Sequence, residues 1–510
     1  MTPLSRRRVL ALAGATAGAA MTGCGGRSST PPARDWRPST PLRIPPVLEP
    51  AQDPSGAKRV ALSLQEGVHA FLPGKPTPTW GINGPILGPT VRLRRGSRVA
   101  VAVTNRLPEL TTLHWHGLNV PAVFDGGPHQ PIEPGATWRP TFTVDQPAAT
   151  LWYHPHPHGS TALHVHRGLA GMLWIDDPAT PAELPHRYGV DDVPLVLQDR
   201  TIGRDGQSLL TTEPNFGFMG TDMCVNATLQ PFFTVTSRLV RFRLLNGSNA
   251  RLYNLEFSDG RTFQVVGNDL GLLPAPVSTE RLRLGPAERA EIVVPFGPGE
   301  AVTLLTRGGT ERIDAGDHNI LELRAAPTLA ASAPLPGSLG GEAPLVPAPD
   351  ATVRPFRLQG HDAINGREMD MARVDEVVTA STTEVWEIEN TVYSHNFHIH
   401  GVSFTVLDVA GSPPPPWARG RRDTVHLPEK QSARLAVEFG PFADAVHPYM
   451  YHCHILRHED AGMMGQYVVV RPGDESTTPR IIGAMATHPP GHSVPVTSTG
   501  PTVAGGARRP

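Results

Sequence analysis

The chain has 510 residues, 39% of them apolar and 18% charged, with a formal net charge of −2. That length exceeds one ordinary hydrophobic core and implies two to four domains. The near-neutral charge gives no electrostatic footprint for nucleic acid or an anionic membrane surface, while 55 Pro and 51 Gly favour turns and short strands over long helices.

The N-terminus reads Ser5-Arg6-Arg7-Arg8-Val9-Leu10 and runs into small apolar residues through Met21. Arginines directly before an apolar run are a twin-arginine export signal, assigned to residues 1–24. Such a signal carries a folded protein to the periplasm or cell envelope, which suits a secreted protein that holds a cofactor. Met21-Thr22-Gly23-Cys24 resembles a bacterial lipoprotein box, which would make Cys24 a lipid anchor to the membrane. The Pro/Ser/Gly-rich stretch that follows reads as a disordered tether over 25–55. No later segment has the roughly twenty apolar residues of a membrane-spanning helix.

From residue 56 to 178 the pattern is β. Val91-Arg92-Leu93-Arg94 and Val99-Ala100-Val101-Ala102-Val103 alternate at period two around a turn at Gly96. A second β unit spans 190–326, with Val240-Arg241-Phe242-Arg243-Leu244-Leu245 and Glu291-Ile292-Val293-Val294 as its clearest strands. Residues 327–352 are Ala/Pro/Gly-rich and read as a linker. A third β unit spans 353–472, where Glu384-Val385-Trp386-Glu387-Ile388-Glu389 alternates and Tyr467-Val468-Val469-Val470 closes the unit. The polar, Pro-rich tail, 473–510, reads as disordered. Three all-β units of short strands point to three β-sandwiches. The first and third share a layout of strands, a histidine pair, then a second histidine pair, which suggests duplication.

His-x-His occurs six times among 22 histidines: His114/His116, His154/His156, His156/His158, His164/His166, His398/His400 and His452/His454. About one such pair is expected by chance. On a strand this spacing puts two imidazoles on one face, close enough to share one metal or hold two adjacent ones. The segment Tyr451-His452-Cys453-His454-Ile455-Leu456-Arg457-His458-Glu459-Asp460-Ala461-Gly462-Met463 adds a thiolate and a thioether. Alternation turns Cys453 away from His452 and His454, so one short segment can serve two metal sites. Cys453, His458 and Met463 supply three of the four ligands of a blue-copper site, the fourth being a His from elsewhere. With Cys453 so engaged, Cys224 is expected to be a buried thiol.

The motifs His114-Trp115-His116-Gly117, His154-Pro155-His156, His395-x-x-His398-x-His400 and His452-Cys453-His454-x-x-x-His458-x-x-x-x-Met463 resemble those of the multicopper oxidases. The bacterial three-domain members are nearest: copper-efflux oxidases, bilirubin oxidases and laccase-like enzymes. The resemblance implies three cupredoxin-like Greek-key β-sandwich domains and four copper ions. It would place the type 1 copper on His395, Cys453, His458 and Met463. His114 and His398 would hold the type 2 copper. His116, His154, His156, His400, His452 and His454 would hold the type 3 pair. Of the remaining histidines, His158 is expected to support its neighbours, His164 and His166 to be surface or channel-lining, and His129 and His447 to be ordinary turn residues.

The implied reaction takes electrons singly from a donor and reduces dioxygen to water. His458, beside Glu459 and Asp460, is the expected exposed edge through which electrons enter. Asp125 and Glu459 match family acids that supply protons. The donor would be a small organic molecule (phenol, aromatic amine or bilirubin-like tetrapyrrole) or cuprous ion. Met369 and Met371, which are expected to pack a strand, form no Met-rich run, so an organic donor is favoured, with Tyr393 and the loop Pro413–Trp417 as walls of its site. A monomer is expected. Two rival classes are a copper-free envelope protein of the same fold, as in division-associated relatives, and a simple electron carrier. The twelve filled ligand positions argue against the first and the eight extra histidines against the second.

Overall fold

The computed structural model describes residues 34–483. The export signal, the box ending at Cys24 and the far tail from 484 lie outside the described residues. Three β-sandwiches follow one another along the chain. The first packs a six-stranded sheet built on Lys58–Leu72 and Arg98–Asn105 against a four-stranded sheet containing Thr90–Arg94, Ala149–Tyr153 and Gly171–Asp176. Val99, Val101 and Val103 point into its core, as their alternation requires. The turn at Gly96 does not close a hairpin: Thr90–Arg94 pairs with Gly171–Asp176, whereas Arg98–Asn105 crosses to the other sheet and pairs with Lys58–Leu72.

The second sandwich has eight- and six-stranded sheets. Its strand Leu239–Asn246 is buried almost throughout, arginines included, because Arg241 pairs with Glu291 and Arg243 with Asp192. A buried charge is tolerated only when it is paired in this way. The third sandwich has two five-stranded sheets. One of them carries His395–Ile399 hydrogen-bonded between Asp444–Cys453 and Thr424–Leu427.

The expected tether is corrected from residue 34 onward. Arg34 pairs with Asp222, and Leu42 is buried. Thr40–Pro41, Val47–Leu48 and Ala51–Gln52 each add a short strand to a sheet edge. Proline suits an edge strand, which need not donate on its outer side, and edges gain by being covered. The linker is also shorter than expected: Pro327, Thr328, Leu329 and Ala330 complete the strand His318–Ala330, and Leu339 is buried in the second core. The described part of the tail packs on the third sandwich, where Ile482 N donates to the Ala372 carbonyl. Among the described residues no helix is long and apolar enough to cross a membrane.

Candidate metal centre

Backbone pairing assembles the histidines. His114 and His154 face each other across an antiparallel bridge, exchanging N–H···O bonds of 2.8 and 3.1 Å. In the third sandwich His398 pairs with His452 and Phe397 with Cys453. The two sandwiches present these segments to one another, so that His116 stacks on His398 at 3.7 Å between centroids and His114 on His400 at 3.8 Å. All eight imidazoles are buried.

Their second nitrogens set which atom is free. The carbonyls of Asp125 and Asp423 can only accept, so His114 and His398 must carry their protons on Nδ1, at 2.9 and 2.8 Å. Their Nε2 atoms are left buried without a partner among the described residues. His154 donates Nδ1–H to the Pro155 carbonyl and His452 to that of Cys453. His400 donates Nδ1–H to Asp125 Oδ2 at 2.7 Å. Glu459 reaches two rings, with Oε1 3.3 Å from His156 Nδ1 and Oε2 3.3 Å from His452 Nδ1. His116 is reversed: its Nε2 lies 3.2 Å from Asp423 Oδ1, so its Nδ1 is the free atom.

The free nitrogens point at one another. His156 and His400 Nε2 each lie 3.2 Å from His452 Nε2. His154 Nε2 lies 3.4 Å from both His116 Nδ1 and His454 Nε2. Burial holds His116, His154, His398 and His400 well below the usual imidazole range, with neighbouring imidazoles adding to the effect, and takes His156 to about 3. Neutral rings with facing lone pairs repel and have no proton to share. Cations between them turn that repulsion into ligation, so the donor set fits metal ions.

A second cluster lies on the opposite side of the segment 452–454. His458 Nδ1 is 3.5 Å from Cys453 Sγ and 3.2 Å from His395 Nδ1. Burial pushes the Cys453 thiol up to about 12, so in isolation it would stay protonated; a bound cation would favour the thiolate. Met463 is buried in the same core cluster, its carbonyl accepting from Cys453 N. The turn that returns Met463 needs Gly462, at φ +107°, where a Cβ would come within 3.2 Å of Glu368. Gly126 has a similar role after Asp125: at φ +83°, a Cβ would lie 1.9 Å from the Leu113 carbonyl.

The surroundings differ from expectation in several places. His458 is not an exposed edge: it is 0% exposed, and its Nε2–H donates to the Asn215 carbonyl at 2.9 Å. Asn215 belongs to a turn of the second sandwich that also sets Phe216 5.7 Å from the His458 ring. Glu459, expected to supply protons, is buried beside the histidine cluster. His158 is exposed, and no hydrogen bond joins it to a neighbouring ring among the described residues. His164 and His166 are buried on the helix Thr161–Arg167, where His164 bonds Thr111 and Glu109. His129 lies in a turn as expected, though buried against Gln466, whereas His447 lies in the strand Asp444–Cys453 rather than a turn. Met369 and Met371 lie half-buried in a loop rather than a strand, and Met369 N donates to the Gly462 carbonyl. Tyr393 is half-buried, 6.0 Å from Phe216 and 5.9 Å from His361. Trp417 packs on the second core instead. Sequence reasoning missed Asp423, Asn215 and His361, which carry no spacing signal.

Family models described as multicopper oxidase match residues 63–180 and 345–473. The multicopper oxidase mco of Staphylococcus epidermidis is 37% identical over 436 residues, covering 84% of this chain and 92% of that protein. The cell division protein FtsP of Escherichia coli K12 is 35% identical over 443 residues, covering 84% and 92%. Among solved structures, a multicopper oxidase from Pediococcus acidilactici aligns with TM-score 0.80 and 36% identity over 88% of this chain and 96% of its own. A laccase-like oxidase, CueO, from Ochrobactrum aligns with TM-score 0.77 and 38% identity over 84% and 100%. Sandwiches that place histidine clusters between the first and third units are cupredoxin-like domains, and their family implies copper. The chain belongs to the multicopper oxidase family.

Proposed function

We propose that the chain is a laccase-like oxidase that couples one-electron oxidation of phenols or aromatic amines to four-electron reduction of dioxygen. His395, Cys453, His458 and Met463 would hold a type 1 copper. His114 and His398 would hold a type 2 copper, and His116, His154, His156, His400, His452 and His454 a type 3 pair. Copper supplies reversible one-electron chemistry, and four such ions match the four electrons that dioxygen takes. The observation that carries this reading is the set of eight buried imidazoles whose free nitrogens converge while six second nitrogens hydrogen-bond to protein oxygens.

The chain's own groups do the rest. Cys453 is joined through one peptide bond to each of His452 and His454, giving a covalent route between the two clusters. Asp125 and Glu459, each within reach of ligand imidazoles, would hand protons to oxygen. Electron uptake would pass through the turn at Asn215 and the half-buried rings of His361 and Tyr393, since His458 has no exposed edge. An organic donor is supported by the Ochrobactrum relative, described as active towards lignin model compounds. The FtsP relatives keep a division role in view. The twelve filled ligand positions favour the oxidase. Export by the twin-arginine route, as a monomer and with a lipid at Cys24, belongs to the same proposal.

The test is oxygen consumption by copper-loaded protein with a panel of phenols, aromatic amines, bilirubin and chelator-buffered cuprous ion. Higher kcat/KM for an aromatic donor than for cuprous ion supports the reading. The reverse order makes a metal-oxidising role the better description.

A further inference from the structure

Asp125 and Asp423 stand in matching positions. The Asp125 carbonyl accepts from His114, of its own sandwich, and its carboxylate accepts from His400 of the third. The Asp423 carbonyl accepts from His398, of its own sandwich, and its carboxylate accepts from His116 of the first. Each aspartate thus orients both rings of one pair that stacks across the junction, Asp125 the pair His114/His400 and Asp423 the pair His116/His398. The sequence singles out only Asp125.

The two differ in what holds them. Asp125 Oδ1 is buried without a hydrogen-bond partner among the described residues. Asp423 is gripped at both oxygens by Arg289 of the second sandwich, at 2.7 Å to Oδ1 and 2.5 Å to Oδ2. Arg289 is itself 0% exposed and spends all five N–H donors: two on Asp423, one on the Thr150 carbonyl, and two on the carbonyls of Ala287 and Asp269. Thr150 lies on the strand Ala149–Tyr153, which leads directly to His154 and His156. One guanidinium therefore ties the first, second and third sandwiches together beside the histidine cluster. Gly117, at φ +89°, leaves the room: a Cβ there would come within 2.7 Å of both Arg289 and Asp423.

We propose that Arg289 and Asp423 are positioning residues through which the second sandwich, which offers no ligand, fixes the ring orientation of His116 and His398. His116 shows the consequence. Of the anchored rings in the eight-histidine cluster it alone offers Nδ1, because its Nε2–H is committed to Asp423. Without that acceptor only the Thr424 hydroxyl, 3.3 Å from Nε2, is left to hold the proton there, and the other tautomer becomes accessible. Bidentate Arg–carboxylate pairing is both strong and directional, which suits a part that must hold a ring within a narrow angle. The inference rests on the copper assignment proposed above.

The test compares copper-loaded wild type with Asp423→Asn, Asp423→Ala and Arg289→Gln by EPR, absorption and copper counting after dialysis against a chelator. Asp423→Asn keeps the shape and one oxygen that can accept from His116. All variants should keep the wild-type thiolate-to-copper band. Asp423→Ala and Arg289→Gln should alter the type 2 EPR splitting, lose the type 3 absorption and release metal from the histidine cluster about 10- to 100-fold more readily, the usual scale for an outer partner of a ligand. Asp423→Asn should restore part of each signal. Unchanged type 2 and type 3 signals in Asp423→Ala and Arg289→Gln overturn the proposal. So does simultaneous loss of the type 1 band and a lowered Tm, which would mark a folding role alone. A wild type that takes up no copper overturns the oxidase reading itself, whereas a fully loaded wild type with unaltered variants overturns only this inference.

Discussion

His458 donates its Nε2–H to the carbonyl of Asn215 at 2.9 Å, and no part of its ring reaches solvent. The two residues are 243 positions apart and belong to different sandwiches. A donor therefore cannot touch the imidazole. On the proposed function it would dock on what surrounds it, the turn at Asn215 and the half-buried rings of Tyr393 and His361.

Tyr393→Ala should then weaken organic donors while leaving oxygen reduction alone. An aromatic contact contributes about 0.5–1.5 kcal/mol, so KM for a phenol should rise about 2- to 12-fold. Steady-state kinetics with a phenol and with a small inorganic reductant separate the two effects. An equal change for both donors would contradict a docking role.

Cys453→Ser should abolish the blue colour and stop oxidation of every donor. The colour requires a thiolate on the metal, and Cys453 is the one described cysteine beside His395 and His458. Absorption spectra of copper-loaded protein decide this, and a variant that stays blue contradicts the ligand set.

The histidine pairs were legible because strand alternation has a fixed period, so His-x-His and His452-Cys453-His454 predict which side chains share a face. The three sandwiches were legible for the same reason. Asp423 was not, because its carboxylate acts on His116 from 307 residues away, while it holds His398 through a backbone carbonyl that any residue supplies. The burial of His458 was hidden likewise, since an acidic sequence neighbourhood says nothing of a turn arriving from another sandwich. Residues 34–52 misled through composition: proline and small polar residues suit edge strands as well as tethers.

Glu459→Gln and Asp125→Asn should slow oxygen turnover by about 10²-fold or more, the scale for a positioned acid. Asp125 accepts from His400 at 2.7 Å, and a Glu459 oxygen lies 3.3 Å from His452 Nδ1, both rings being proposed ligands. Stopped-flow reduction of the type 1 site by donor should stay near wild type, as should copper content. Unchanged oxygen uptake in both variants rules out the relay.

Glu291 gives a pH test of the fold. Burial opposes its ionisation, but Arg241 and Arg243 outweigh burial and lower its pKa from 4.5 to about 2. A depressed folded-state value contributes stability above the unfolded pKa, and that stability is lost as pH falls from about 4.5 towards 2. Glu291→Gln should flatten acid unfolding in this window. It should also cost about 3–5 kcal/mol near neutral pH by leaving buried arginines short of a partner. Tryptophan fluorescence against pH checks both, and superimposable acid transitions would contradict the pairing.

Copper content tests the central claim most directly. Protein loaded anaerobically, freed of loose metal and measured by elemental analysis should hold about four copper ions per chain, as the twelve proposed ligands require, with one of them lost selectively in Cys453→Ser. A value near one would describe an electron carrier. A value near zero would contradict the oxidase and leave a structural protein of the same fold.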